Sequence, residues 1–310
     1  MDFRAEIEEL LSQIPEAQVA GCGDLARALG DVRASAAIYR FARAHPEIPG
    51  ARRVVAGTGL SAVRARYFAE FQCGAPLARL RAEQIELAAK VSRRNGFRSV
   101  RTVGGVDVSY EGDRGFASLV VIRAGDFAVT EEVLVSREVD FPYIPTYLAY
   151  REFPLIAAAV QRLQGPPTIL LVDGHGQIHP ARCGIACVVG VRLDLPTIGV
   201  AKNPLIGAIG GHPKVGDVAP VVSEGEILGY ALRTSASVRP LFISTGHRVA
   251  PRTAVRIVRD LCRTRHPEPL RLAHVHATDW KIRQRKKVQE SSLLAPIPGG
   301  EQPKAKRSRA

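Results

Sequence analysis

The first fourteen residues repeat apolar side chains at helical spacing. Phe3, Ile7, Leu10, Leu11 and Ile14 share one face, with Arg, Glu and Ser filling the others. The pattern predicts an amphipathic helix over 2–14. A short helix is expected over 24–29, with Asp24 as its cap and Gly30 as the left-handed residue that ends it. A third runs over 34–44 and stops at His45-Pro46. Two short helices about a tight glycine-containing turn fit a helix-turn-helix, with 52–60 as a small hairpin or wing. A plain three-helix bundle fits the same spacing equally well.

From about Leu77 the texture changes. A helix is predicted over 79–95, with Leu80, Ile85, Leu87 and Val91 as its apolar positions. Strand-like runs follow at 103–110, 117–123 and 127–137, broken by the turn sequences Glu111-Gly-Asp-Arg-Gly115 and Ala124-Gly-Asp126. After the stiff loop 141–145 comes a helix over 147–163. Residues 168–172 (TILLV) are wholly apolar and read as a buried central strand. Then come a helix at 182–193, strands at 197–200, within 218–235 and at 241–244, and a helix at 251–264. A meander followed by alternating helices and strands predicts an α/β domain, its mixed sheet covered by helices.

Composition narrows the class. At 310 residues and 46% hydrophobic, the chain can bury a core, which excludes wholesale disorder. No apolar run reaches the roughly 18 residues of a membrane span, and the charged N-terminus does not read as a signal peptide. Five cysteines argue against a disulfide framework and for a reducing cytoplasm. Cys183 and Cys187, without a second ligand pair, read as small core residues. The net charge of +13 points to a polyanionic partner, most often nucleic acid. Yet residues 281–310 hold nine Lys or Arg against two Glu, so +7 of that charge sits in a basic tail. The tail reads either as a disordered, solvated end or as a phosphate-binding arm.

Three carboxylates stand out. Asp107, in Gly104-Gly-Val-Asp-Val-Ser-Tyr110, interrupts a strand, where Asp is depleted. Asp173 ends the TILLV strand, where α/β proteins place functional groups, although a turn-starting Asp before Gly is its ordinary reading. Glu152 alone reads as an exposed helical Glu or a partner of the helix dipole. Gathered at one sheet edge, the three would repel one another unless a hard cation, Mg²⁺ or Mn²⁺, lay between them. Such a cation can orient water against a phosphodiester. Lys202 directly follows an apolar strand in a chain with only three lysines before residue 281. His247 follows another strand, and a lone His is more often structural.

These residues carry a resemblance. Residues 77–280 resemble endonuclease V through GVDVSY, FPYIPTYLAYRE, LLVDGHGQIHPARCGIA, LPTIGVAK and ISTGHRV. The resemblance implies a ribonuclease H-like mixed five-stranded sheet flanked by helices. It implies metal ligands at Asp107, Glu152 and Asp173, an active-site Lys202 and a further site residue, His247. It also implies a wedge loop at Pro142, Tyr143, Ile144 and Pro145, with Gly174, His175 and Gly176 beside the DNA. Where that family's loop continues with Gly, this chain has Thr146.

Residues 3–60 are similar to the DNA-binding domain of O6-alkylguanine alkyltransferases and alkyltransferase-like proteins, through IPEAQVAGCGDLARALG and ARAHPEIPGARRVV. This implies a small, mostly α winged helix-turn-helix with Arg33 and Arg40 toward DNA. The positions of the acceptor cysteine, the tyrosine and the arginine finger fall on Ala51, Cys22 and Ala36. Without a thiolate at position 51, no alkyl transfer is expected.

The resulting expectation has four parts: an alkyltransferase-like module at 1–62, a linker at 63–76, an endonuclease V domain at 77–280 and the basic tail at 281–310. The resemblance implies hydrolysis of the second phosphodiester 3′ to deoxyinosine in DNA, leaving 3′-hydroxyl and 5′-phosphate ends. Inosine in RNA, or lesion binding with little turnover, are the alternatives.

Overall fold

A computed structural model describes residues 3–57, 66–211 and 213–293, with side chains as far as Arg285. Helices α1 (Phe3–Ser12), α2 (Cys22–Ala28) and α3 (Ser35–Ala44) enclose the first core, and β1 (Ala20–Gly21) pairs in parallel with β2 (Val54–Val55) beside it. The core is built from the expected face: Phe3, Ile7, Leu10, Leu11 and Ile14 are all buried.

Two local expectations change. Pairing of Ala20 and Gly21 with β2 pins the chain early, so α2 starts at Cys22 and its N-cap is Gly21, without a side-chain cap. Asp24 therefore lies inside the first turn, where it pairs with Arg27 and accepts a bond from the Tyr67 hydroxyl. The stretch expected as a hairpin or wing is a single 3₁₀ turn (Ala51–Arg53) followed by β2, and 58–60 lie outside the described residues. The described part of the expected linker is packed: Val19 bridges to Tyr67, and Phe68 and Phe71 lie against the first core.

The remaining elements are α4 (Pro76–Ala89), β3 (Thr102–Glu111), β4 (Arg114–Arg123), β5 (Val129–Glu138), α5 (Leu148–Val160), β6 (Ile169–Asp173), α6 (Ile185–Leu193), β7 (Thr197–Ala201), β8 (Ala208–Ile209), β9 (Val218–Ser223), β10 (Glu226–Leu232), β11 (Leu241–His247), α7 (Pro251–Leu261) and α8 (Glu268–Leu293). Helix α4 ends six residues short of expectation. Beyond it, Ser92 and Gly96 exchange backbone bonds with Arg248 and are drawn out along the sheet end; Ile85 is exposed.

Among the described residues the sheet has nine strands, where five were expected, in the order β5-β4-β3-β6-β7-β11-β10-β9-β8. β3, β6 and β7 are parallel, and the flanking pairs are antiparallel. The first five strands make the expected mixed core. The strands read within 218–247 extend that sheet, because β11 pairs along β7. One face is covered by α5 and α6, the other by α7 and α8, each over its own apolar cluster. Helix α8 also corrects the tail boundary: residues 281–293 continue it without a break, and 294–310 lie outside the described residues.

Candidate metal centre and adjacent cavity

Neighbouring parallel strands put the first two carboxylates side by side. Val106 pairs with Val172, so Asp107, midway along β3, and Asp173, at the C-terminal end of β6, follow side by side. Gly105 then makes room for a third group. A Cβ there would lie 2.3 Å from the Pro269 carbonyl carbon, so only glycine lets α8 lie this close to β3. The close approach sets His274 Nδ1 2.6 Å from Asp107 Oδ2. One ligand atom each from Asp107, Asp173 and His274 lies within 4.8 Å of the others.

Glu152, expected as the third ligand, is not in that set. It is buried on α5 and accepts a hydrogen bond of 3.2 Å from the Tyr110 hydroxyl. Burial, then the charges of Asp107 and Asp173, push its carboxyl up to about 8. Burial and Asp173 likewise raise Asp107, against the pull of His274. Three carboxylates in mutual repulsion are the electrostatic signature of a cation site. Two carboxylate oxygens and one imidazole nitrogen suit a divalent ion that keeps other positions for water and phosphate.

Lys202 follows β7 and places Nζ 3.5 Å from Asp173 Oδ2, so the expected lysine does join the cluster. His247 does not. It pairs with Thr197 at the start of β7, whereas Asp173 pairs with Val200 near its end. The antiparallel direction of β11 thus carries His247 to the opposite sheet edge. There Nδ1 accepts from the Ser92 backbone at 3.2 Å, and burial lowers its pKa.

Beside the carboxylates lies a cavity of about 250 Å³, lined by Tyr143, Thr146, Asp173, Gly174, His175 and Lys202 among others. Burial holds His175 down at about 4, against the opposing effect of the Asn203 backbone. Tyr143 stands at the cavity 53% exposed, while Ile144 is fully buried in the first core. Ile144 is therefore an anchor of the loop and not a nucleic-acid contact. Gly176 is also buried: a Cβ there would lie 2.1 Å from the Thr245 carbonyl oxygen, so it serves strand packing. Pro142 is half-buried and Pro145 exposed.

In the N-terminal region, Arg33 is exposed and pairs with Asp31 at 3.2 Å. Arg40 reaches across to the Tyr143 carbonyl at 3.5 Å. Cys22 and Ala51 are buried, and Ala36 is exposed on α3.

A mixed sheet whose parallel central strands bring two aspartates and a lysine together beside a cavity, with a histidine supplied by helix α8, defines an α/β protein with a candidate acidic metal site. The comparisons make that class specific. The family model described as Endonuclease V matches residues 85–275. Endonuclease V of Thermofilum pendens is 46% identical over 207 residues, covering 66% of this chain and 88% of its own. Human endonuclease V, at 35% identity, superposes with a TM-score of 0.60 over 70% of this chain and 99% of its own. Endonuclease V of Ciona intestinalis, solved with a 24-mer DNA containing an inosine followed by a ribo-adenosine, is 31% identical; its TM-score is 0.60, covering 68% of this chain and 98% of its own. The chain belongs to the endonuclease V family and is an endonuclease. Residues 3–57 lie outside the matched region. Among the described residues, no helix is long and apolar enough to cross a membrane.

Proposed function

We propose that this chain is a metal-dependent DNA-repair endonuclease that hydrolyses the second phosphodiester 3′ to deoxyinosine, leaving 3′-hydroxyl and 5′-phosphate ends. The observation that carries the reading is the adjacency of the carboxylate cluster and the cavity, which share Asp173 and Lys202. An extruded base in the cavity sets its own 3′ backbone against the cluster.

Asp107, Asp173 and His274 would hold Mg²⁺ or Mn²⁺, which supplies charge neutralisation at the phosphate and an acidified water. Glu152, buried behind them with its carboxyl pushed up to about 8, would give up its proton and add negative charge to the cluster once a cation is bound. Lys202 neutralises Asp173 and offers a compact ammonium to a phosphate oxygen. Tyr143, exposed at the rim, stacks on the strand at the lesion. His175, neutral at physiological pH, offers the base an uncharged imidazole. The N-terminal region is read as an alkyltransferase-like module that docks DNA through Arg33 and Arg40. Ala51 supplies no nucleophile, so it transfers no alkyl group.

A second reading, inosine in RNA, draws on the ribo-adenosine that follows inosine in the Ciona complexes. The deciding experiment incubates the full chain with a duplex carrying one deoxyinosine, with and without Mg²⁺, alongside the matched adenine duplex and an inosine RNA. Cleavage of the DNA one nucleotide beyond the lesion, only with metal, supports the proposal. Equal cutting of the adenine duplex, or cutting of RNA alone, contradicts it.

A further inference from the structure

The first core does not end where the N-terminal region ends. Leu77, Ile144 and Tyr147 are fully buried within it, and Phe141 packs on Phe3 with ring centroids 4.9 Å apart. The Leu77 amide donates to the Leu29 carbonyl at 2.8 Å. Gly30, at φ +99, lies against α4 so closely that a Cβ would come within 2.7 Å of the Ala78 nitrogen. The N-terminal module is thus docked on the loop that borders the cavity.

At this seam a chain of polar contacts leads from Asp31 to the cavity wall. The Asp31 carboxylate accepts from the Tyr147 hydroxyl at 2.8 Å and faces Arg81 Nη2 at 3.4 Å. The same Nη2 donates to Thr146 Oγ1 at 2.5 Å, and the Arg81 guanidinium lies over the Tyr147 ring at 4.4 Å. The Thr146 carbonyl accepts from Gln84 at 3.0 Å and from His179 Nε2 at 2.9 Å. His179 Nδ1 accepts from the Ala181 amide, which leaves Nε2 as the protonated donor.

Thr146 needs this grip. Its φ is +72, a left-handed conformation in which a β-branched side chain is strained. Such a residue persists only when its surroundings over-determine it. Here Arg81 holds the hydroxyl, and Gln84 and His179 hold the carbonyl. Arg81 in turn sits beside the half-buried Asp31 carboxylate, its one ion-pair partner among the described residues. Remove that charge, and both Arg81 and the Tyr147 hydroxyl lose an acceptor.

We infer that Asp31 is a positioning residue for the base cavity: acting through Arg81, it fixes Thr146 and so makes the N-terminal module part of the cavity wall. The inference rests on reading the cavity as the base site. It assigns the module a role in holding the base, beyond docking DNA.

The test is a double-mutant cycle on the full chain. Glycine adopts a positive φ without strain, so Thr146→Gly removes the need for the latch. Asp31→Asn is expected to raise KM for a deoxyinosine duplex about tenfold, with kcat within threefold. In the Thr146→Gly background, the same substitution is expected to change KM less than threefold. Hydrogen exchange over 142–149 should follow: at least tenfold faster in Asp31→Asn than in the unaltered chain, but within threefold when Thr146→Gly is compared with and without Asp31→Asn. Arg81→Gln is run in parallel and should behave as Asp31→Asn. Equal effects of Asp31→Asn in both backgrounds, or none in either, overturn the inference. If the unaltered chain does not cut inosine DNA, the functional proposal fails, and the exchange cycle alone decides the latch.

Discussion

His274 Nδ1 lies 2.6 Å from Asp107 Oδ2, joining a helix near the C-terminal end of the described chain to a strand 167 residues earlier. The cluster it forms with Asp173 includes neither Glu152, expected as third ligand, nor His247, expected as a further site residue. It leads to a paired prediction. His274→Ala should lower the cleavage rate about a hundredfold or more, roughly 2.7 kcal/mol of transition-state stabilisation, and raise the Mg²⁺ needed for half activity. His247→Ala should leave the rate within threefold and instead lower thermal stability. Rates across a metal titration for both variants check it; the reverse ranking would restore His247 to the site.

The loop residues Tyr143 and Ile144 should separate cleanly. Tyr143 is half exposed, so Tyr143→Ala is expected to weaken inosine-duplex binding by about 1–3 kcal/mol with little change in melting temperature. Ile144 is buried, so Ile144→Ala should cost about 2–5 kcal/mol of stability. Duplex titration and calorimetry on the same preparations distinguish the two roles.

His179 gives the stability a defined pH dependence. Burial pulls its pKa down to about 3, and its ring serves as donor to Thr146 and acceptor from Ala181. An unfolded His titrates near 6.5. Its contribution is therefore complete above about 6.5 and is lost as pH falls toward 3, by up to about 1.4 kcal/mol per pH unit. Replacing it with Gln should flatten the decline of melting temperature between pH 6.5 and 4. An unchanged slope would place the proton uptake elsewhere.

Helix α8 runs to Leu293, so a truncation after that residue keeps the described helix and removes Lys304, Lys306, Arg307 and Arg309. If two of these touch phosphates, the salt dependence of duplex affinity should flatten by about 1.8, at roughly 0.9 per contact. Lesion and undamaged duplexes should lose affinity alike. Fluorescence titrations at several salt concentrations read the slope directly.

Asp107 and Asp173 were legible because carboxylates inside or at the end of apolar strands are conspicuous. His274 was not. Its helix opens between Pro267 and Pro269, and its buried residues among those described are Pro269, Leu270, Ala273 and Ala277. Small side chains are what a helix needs when it lies on Gly105, but they make a weak periodic signal. The place of His247 was illegible for a different reason: a histidine after a strand reads the same at either edge of a sheet, and strand direction is not written in a local pattern. The stretch 63–76, expected as a linker, packs where it is described: Phe68 and Phe71 lie against the first core, and the Tyr67 hydroxyl accepts from the Gly21 amide. Three aromatics in ten residues were the available sign that it packs.

The central claim, that the Asp107–Asp173–His274 cluster holds the ion that drives inosine-directed cleavage, is tested most directly by one comparison. Single-turnover cleavage of a deoxyinosine duplex is measured across Mg²⁺ concentrations for the unaltered chain and for Asp107→Asn and Asp173→Asn, with duplex affinity measured alongside. Both variants are expected to cut about a thousandfold more slowly or worse at saturating metal, while binding the duplex within about threefold of normal. A variant that binds the duplex and cuts at near-normal rate would place the catalytic centre elsewhere and contradict the account.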